Sequence, residues 1–281
     1  MIEVIKPGLY SSIQDKGRFG FENYGVPISC SMDQFSSILS NKIISNNDND
    51  AVMEITMIGP TLKFKTETTI SITGADMSPL LNGENINLFK PHIIKNGDIL
   101  SFGKLKCGLR CYLSVLNGFK TKKIMNSRSM YANITKEFRI SKGDILNLES
   151  KINSNNTISL NDFEYENHFK GPFIEVYKGP EYEKMSIKQQ TNLFNKKFTV
   201  SNKNNRMAYQ MNEAIENNLD SIITSLVMQG TVQLTPSGEI IVLMRDNQTC
   251  GGYPRILQLN ESSINKLSQK HMNDRIIFKL I

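Results

Sequence analysis

Three polar clusters interrupt the apolar runs of this chain, and each holds groups that can bind or neutralise charge. The strongest is Arg245-Asp246-Asn247-Gln248-Thr249-Cys250-Gly251-Gly252-Tyr253-Pro254, which follows the apolar stretch Ile240-Ile241-Val242-Leu243-Met244. A polar run directly behind a buried strand places donors and acceptors at the strand's end. Two glycines there permit close backbone approach to a ligand. An ordinary β-turn would not need so many polar residues in succession, so a binding site is the favoured reading. The second cluster is Ser201-Asn202-Lys203-Asn204-Asn205-Arg206-Met207. An Arg beside a Ser/Asn-rich loop can grip a carboxylate or phosphate with two prongs, but taken by itself this stretch reads first as an exposed loop. The third runs Ile13-Gln14-Asp15-Lys16-Gly17-Arg18-Phe19-Gly20, followed by Tyr24-Gly25-Val26-Pro27 and Ser29-Cys30-Ser31-Met32-Asp33. Asp15, Arg18 and Asp33 offer charge to a ligand, or Asp15 and Arg18 close a structural turn as an ion pair.

Other chemistries lack their residues. There is no nucleophile elbow, phosphate loop or dinucleotide fingerprint, since Gly17-x-x-Gly20 and Gly251-Gly252 are glycine pairs only. His92, His168 and His271 lie far apart without zinc spacing, so no metal is expected. Cys30, Cys107, Cys111 and Cys250 contain no C-x-x-C and read as reduced core thiols of a cytoplasmic protein. The charge is +6, but the eight arginines are scattered singly, which argues against nucleic acid. No stretch reaches the ~18 apolar residues of a membrane span, and no signal peptide is expected.

The elements that position these clusters are mostly short strands cut by turns. Ala51–Ile55, Thr68–Thr73, Leu109–Val115 and Phe173–Tyr177 read as strands. Thr231–Leu234 and Ile240–Met244 flank Pro236-Ser237-Gly238 as a hairpin. Asn96-Gly97-Asp98-Ile99-Leu100 is echoed by Lys142-Gly143-Asp144-Ile145-Leu146, a turn device that small barrels reuse. Helices are predicted over Met32–Ile44, with Ser31 and Gln34 as a capping box, over Met185–Phe194, and over Ser263–Lys270. The polar, Asn-rich stretch from Lys151 to Lys170 reads as a linker. A mainly β, β-rich α+β chain results, with a domain over 1–160 and another over 171–281.

Several motifs, in order along nearly the whole chain, resemble the biotin-dependent carboxyltransferase / allophanate hydrolase subunit 2 family. They are Ile13-Gln14-Asp15-x-Gly17-Arg18-x-Gly20 with Gly25-Val26-Pro27 and Met32-Asp33, then Asn126-Ser127-Arg128-Ser129, Tyr177-Lys178-Gly179-Pro180 and Asn205-Arg206-Met207-Ala208-Tyr209. The last are Gly230-Thr231-Val232-Gln233-x-x-Pro236-x-Gly238 and Asp246-x-Gln248-Thr249-x-Gly251-Gly252-Tyr253-Pro254. Cys30-Ser31, Ala208 and Cys250 depart from the family's usual Gly-Ala, Gly and Thr.

The resemblance implies two barrel-like halves, the C-terminal one cyclophilin-like. It implies the C component of an ATP-dependent 5-oxoprolinase, a complex that opens 5-oxo-L-proline to L-glutamate. Its implied partners are the KipI-like B component and the A component of that enzyme. ATP with Mg is expected to sit with the partner. Arg206, Asp246, Gln248 and Arg128 are the expected catalytic residues. Arg18, Arg128 and Arg206 are expected to meet phosphate charge, with Arg206 an open cleft group. Asp15, Met32, Asp33, Gln233, Thr249, Gly251, Gly252 and Tyr253 are the expected binding residues beside Arg18. Two alternatives stay open. One is the carboxyltransferase component of a biotin-dependent, urea-type carboxylase, with biotin brought by a partner. The other is a non-enzymatic KipA-type protein that binds a KipI-like partner.

Overall fold

The computed structural model describes residues 1–149 and 171–281. The expected linker over 151–170 lies outside the described residues. The chain divides into two compact units, Met1–Arg18 with Ser29–Glu166 and Phe19–Ile28 with Asn167–Ile281. Residues 19–28 thus group with the second unit, although most of the first unit follows them in sequence.

The first unit holds β1 (Ile2–Lys6), β2 (Tyr10–Gln14), α1 (Gln34–Ile43), β3 (Val52–Thr56), β4 (Thr61–Phe64) and β5 (Thr68–Asp76). It continues with β6 (Pro79–Leu81), β7 (Glu84–Asn85), β8 (Pro91–Ile94), β9 (Ile99–Phe102), β10 (Cys107–Val115) and β11 (Ile145–Leu146). Two antiparallel sheets result, in the orders β11-β1-β4-β9-β6-β7 and β2-β3-β10-β5-β8. Both faces of β5 and β10 are buried, but with different chemistry. Ile70, Ile72, Cys111, Leu113 and Val115 enter the apolar core. Ser71, Thr73 and Ser114 face α1, where their hydroxyls donate to the carbonyls of Ser40 and Ser36. Small hydroxyl residues let helix and sheet approach while satisfying each buried polar group.

The helix starts two residues later than predicted, and its cap differs. Asp33, not Ser31, is the N-cap, its carboxylate accepting from Ser36 N at 3.1 Å. Ser31 Oγ is buried with no hydrogen-bond partner among the described residues. The repeated Gly-Asp device does the same job twice. Asp98 accepts from Lys95 N and Asp144 from Ser141 N, after glycines at φ 97° and 87°. The strands that follow, β9 and β11, lie in one sheet.

The second unit contains β12 (Phe173–Lys178), α2 (Ile187–Asn195), β13 (Phe198–Asn204), β14 (Ala208–Met211), β15 (Ser225–Leu226) and β16 (Thr231–Leu234). It ends with β17 (Ile240–Leu243), β18 (Cys250–Gly251), β19 (Arg255–Leu259), α3 (Glu261–Ser268) and β20 (Arg275–Leu280). Seven strands close a barrel in the order β12-β19-β16-β17-β14-β13-β20, sealed by the parallel pair β12–β20. Phe198 and Phe278, 5.5 Å apart between ring centroids, help fill it. The expected hairpin forms between β16 and β17. Its Gly238 has φ 84°, and a Cβ there would lie 2.0 Å from the Ile215 carbonyl oxygen. The helices again shift from their predicted bounds because of capping. Ser186 and Gln189 make a capping box for α2, and Asn260 accepts from Ser263 N to start α3.

Cys30 and Cys111 are buried, as expected of core thiols, whereas Cys107 and Cys250 are exposed. A register shift between Cys107 and Cys111, with Gly108 at φ 71°, breaks the regular alternation that would place both on one face. Burial pushes the Cys111 thiol well above its ordinary range. No helix among the described residues is long and apolar enough to cross a membrane.

Candidate functional site

The polar loop after β17 is built around an ion pair. Arg206, between β13 and β14, directs Nε to Asp246 Oδ2 at 2.8 Å and Nη2 to Asp246 Oδ1 at 3.0 Å. The backbone ties the same two residues, with Asp246 N donating to the Arg206 carbonyl at 2.9 Å. Both side chains are over nine-tenths buried. The expectation of Arg206 as an open cleft group is thereby corrected. Its two-pronged edge is taken by Asp246, so the pair is a strut that shapes the loop.

That strut places Gln248 and Gly251 beside Gln233 of β16. Gln233 is 1% exposed, and its Nε2 has no hydrogen-bond partner among the described residues. Gln248 Oε1 is also buried without one. Both amide groups crowd Gly251: a Cβ there would lie 2.7 Å from Gln233 Nε2 and 3.6 Å from Gln248 Nε2. The glycine therefore makes room for two side-chain amides. Gly252 is close to backbone, its carbonyl accepting from Ile222 N at 2.9 Å. Unpaired buried amides are costly, so one donor and one acceptor left open here suit an amide-bearing ligand.

A cavity of about 450 Å³ lies in the same unit, lined by Val227, Gln229, Asn247, Thr249, Glu261 and Ile264 among others. Val227 also packs within 3.4 Å of the Gly251 Cβ position. Thr249 is the predicted binding residue that this cavity contains. Arg245, part of the strongest polar cluster but not among the expected site residues, braces its wall. It is 1% exposed and donates to Gln229 Oε1 at 2.7 Å, Glu261 Oε2 at 3.1 Å and Asn265 Oδ1 at 2.9 Å. An Arg directly behind an apolar strand was the signal available. Tyr253 is 40% exposed.

The predicted residues of the first unit form a different structure. The Asp15 carboxylate accepts from Gly17 N at 2.8 Å, Ser127 Oγ at 2.6 Å, Ser129 Oγ at 2.8 Å and Arg128 N at 2.7 Å. Arg18, fully buried, donates to the Ser129 carbonyl. Asp15 and Arg18 thus converge on the Ser127-Arg128-Ser129 loop from one side. Met32 and Asp33 are buried in structural roles. Met32 N donates to Glu54 Oε2 at 2.7 Å, and Asp33 N to Tyr112 Oη at 2.7 Å. Burial and the neighbouring Glu54 and Asp33 carboxylates raise the Tyr112 phenol well above its ordinary range, so it stays protonated and donates to Glu54 at 3.0 Å. Among the described residues no group of three or more His, Cys, Asp or Glu side chains is placed to hold a metal.

Residues 24–280 match the family model described as the carboxyltransferase domain, subdomains A and B. The chain belongs to this carboxyltransferase family. The matched span takes in most of both units and leaves out the Met1–Arg18 segment of the first. The chain is similar to the C component of the 5-oxoprolinase of Escherichia coli, strain K12, with 28% identity over 99% of this chain and 90% of that protein. The crystal structure of the K. lactis urea amidolyase has the same fold over 99% of this chain, with a TM-score of 0.86 and 29% identity. This chain covers 18% of that larger one. The crystal structure of TTHA0988 shares the fold with a TM-score of 0.87 and 22% identity, and here the chain spans 55% of the solved chain's length.

Proposed function

We propose that this chain is the C component of an ATP-dependent 5-oxoprolinase, which opens 5-oxo-L-proline to L-glutamate. One observation carries the reading: the end-to-end similarity to a protein named as that component, covering 90% of its length. The chemistry agrees with the site. The substrate is a cyclic, cis amide that presents its C=O and N–H on one edge. Gln233 Nε2 can donate to such a carbonyl, and Gln248 Oε1 can accept from such an N–H. Water attacks a resonance-stabilised amide slowly, and phosphorylation of the amide oxygen makes its carbon electrophilic, which is what ATP supplies. Arg206, Arg245 and Arg255 of the second unit each pair with a carboxylate, from Asp246, Glu261 and Glu181. They do not fit a polyphosphate as they stand. We assign ATP and Mg to the KipI-like B component, with the A component completing a cytoplasmic complex.

A second reading, carboxyl transfer within a biotin-dependent urea-type carboxylase, is favoured by the fold shared with the K. lactis urea amidolyase at 29% identity. Co-expression with candidate A and B components separates the two. ATP-dependent release of glutamate from 5-oxoproline by the complex, and none by the purified chain alone, is the expected result. Robust turnover by the single chain, or a complex that carboxylates urea instead, would overturn the proposal.

A further inference from the structure

The loop Asn126-Ser127-Arg128-Ser129 is held in place mainly by groups other than its own Arg side chain. Ile124 and Ser127 pair across a tight turn, with backbone hydrogen bonds of 2.8 and 3.2 Å. The turn's central residues, Met125 and Asn126, sit at φ 52° and 63°, a conformation that side-chain-bearing residues seldom adopt. The Asp15 carboxylate, through its bonds to Ser127, Arg128 N and Ser129, supplies the restraint that holds this strained loop. The latch uses backbone and hydroxyl groups only. Strain maintained beside a side chain the latch does not need is the pattern of a positioned functional group.

The Arg128 side chain lines a cavity of about 390 Å³ in the first unit. One nitrogen, Nη1, donates to the Thr121 carbonyl. No other hydrogen bond or ion pair of this guanidinium occurs among the described residues, which leaves the Nε–Nη2 edge open. That edge is the one that takes two oxygens at once. Thr121 Oγ1, on the same wall, is buried without a hydrogen-bond partner among the described residues. Lys122 and Lys136 add positive charge, and Met130 and Leu146 add apolar surface. Two acidic residues also line the cavity. Glu137 is bridged to Lys136 at 3.4 Å, and Asp144 accepts from Ser141 N at 2.8 Å.

We propose that this cavity is an oxyanion site, in which Arg128 grips the carboxylate or phosphoryl group of a small molecule, Thr121 donates a further hydrogen bond, and the apolar wall covers the rest. The site is distinct from the loop around Gln233 and Gln248, and it does not depend on the reaction proposed above.

Calorimetric titration of the full chain with two probes, inorganic phosphate and hexanoate, tests it. The first reports a phosphoryl preference, the second a carboxylate on an apolar body. Saturable binding of at least one probe is expected, weakened at least about tenfold in Arg128→Ala, as loss of a charge-assisted pair of hydrogen bonds implies. Arg128→Lys should restore little. Arg128→Gln keeps a donor for the Thr121 carbonyl and removes the fork, so it gives the same readout if the alanine variant folds poorly. Arg139, stacked on Phe138 at 5.5 Å, does not line the cavity, and Arg139→Ala should bind as the parent does. Absence of saturable binding by both probes would overturn the proposal. So would unchanged affinity in both Arg128→Ala and Arg128→Gln, or an equal loss in Arg139→Ala.

Discussion

The Arg206–Asp246 pair changes what a mutation at Arg206 means. Removing a partner from a buried, two-pronged pair leaves an uncompensated charge, which costs about 3–5 kcal/mol. Arg206→Ala is therefore expected to lose that much stability in urea denaturation, whether or not a ligand is present. Arg206→Lys should recover only part, since a point charge cannot satisfy both Asp246 oxygens. Loss of activity with unchanged stability would instead mark Arg206 as a direct ligand of substrate. Gly251 gives the opposite contrast. The atom that an added Cβ would strike is the end of the flexible Gln233 side chain, at 2.7 Å. Gly251→Ala should keep its stability within about 1 kcal/mol, in line with the modest cost of an off-rotamer side chain, while displacing the Gln233 amide. In the assembled complex it should raise KM for 5-oxoproline. Gly238→Ala, with a backbone oxygen 2.0 Å from the new Cβ, should be strongly destabilised in the same denaturation assay.

At the scale of elements, caps and cross-ties decide where strands and helices stop. Asp33→Ala should cost about 1–2 kcal/mol through loss of the α1 cap. Ser31→Ala removes a hydroxyl that has no partner among the described residues and should be nearly neutral. The two thermal midpoints distinguish these sites directly. The entry of β19 is tied to the turn after β12 by Glu181, whose carboxylate accepts from Arg255 N at 2.9 Å, Nε at 3.0 Å and Nη2 at 2.9 Å. These bonds hold the Glu181 carboxyl below its ordinary range. A depressed folded pKa contributes stability above the unfolded value, and that contribution is lost as pH falls through the folded one. Glu181→Gln should accordingly be less stable than the parent at pH 7, by on the order of 2 kcal/mol. The gap should narrow as pH falls below the ordinary carboxylate range and through the depressed folded pKa, where the parent's carboxyl protonates. A gap that persists undiminished into acid would remove the charge from the explanation.

Over the whole molecule, the placement of the four thiols offers a simple report on folding. Cys107 and Cys250 are exposed, and Cys30 and Cys111 are buried. A thiol-reactive chromophore should modify two cysteines in the native chain and the other two only as urea unfolds it. Rapid native reaction of all four would contradict the packing of α1 and β10. Reactivity at Cys111 is doubly restrained, because the thiolate is the nucleophile and burial disfavours it.

Much of this architecture was legible in short stretches of chain. The β16–β17 hairpin follows from two apolar runs around Pro236-Ser237-Gly238, and the paired Gly-Asp turns follow from their own spacing. Those features depend on residues a few positions apart, whose backbone preferences and periodicity act locally. The motif order likewise pointed to the carboxyltransferase family. The tertiary structure decided which charges meet. Asp246 neutralises an Arg forty positions away, and Asp15 latches Ser127 across 112 positions. It left Gln233 and Gln248 with open amide groups, and it left Arg128 with an open edge. Strand register and barrel closure determine such encounters, and a polar side chain's partner depends on what those long-range contacts bring within about 3 Å of it.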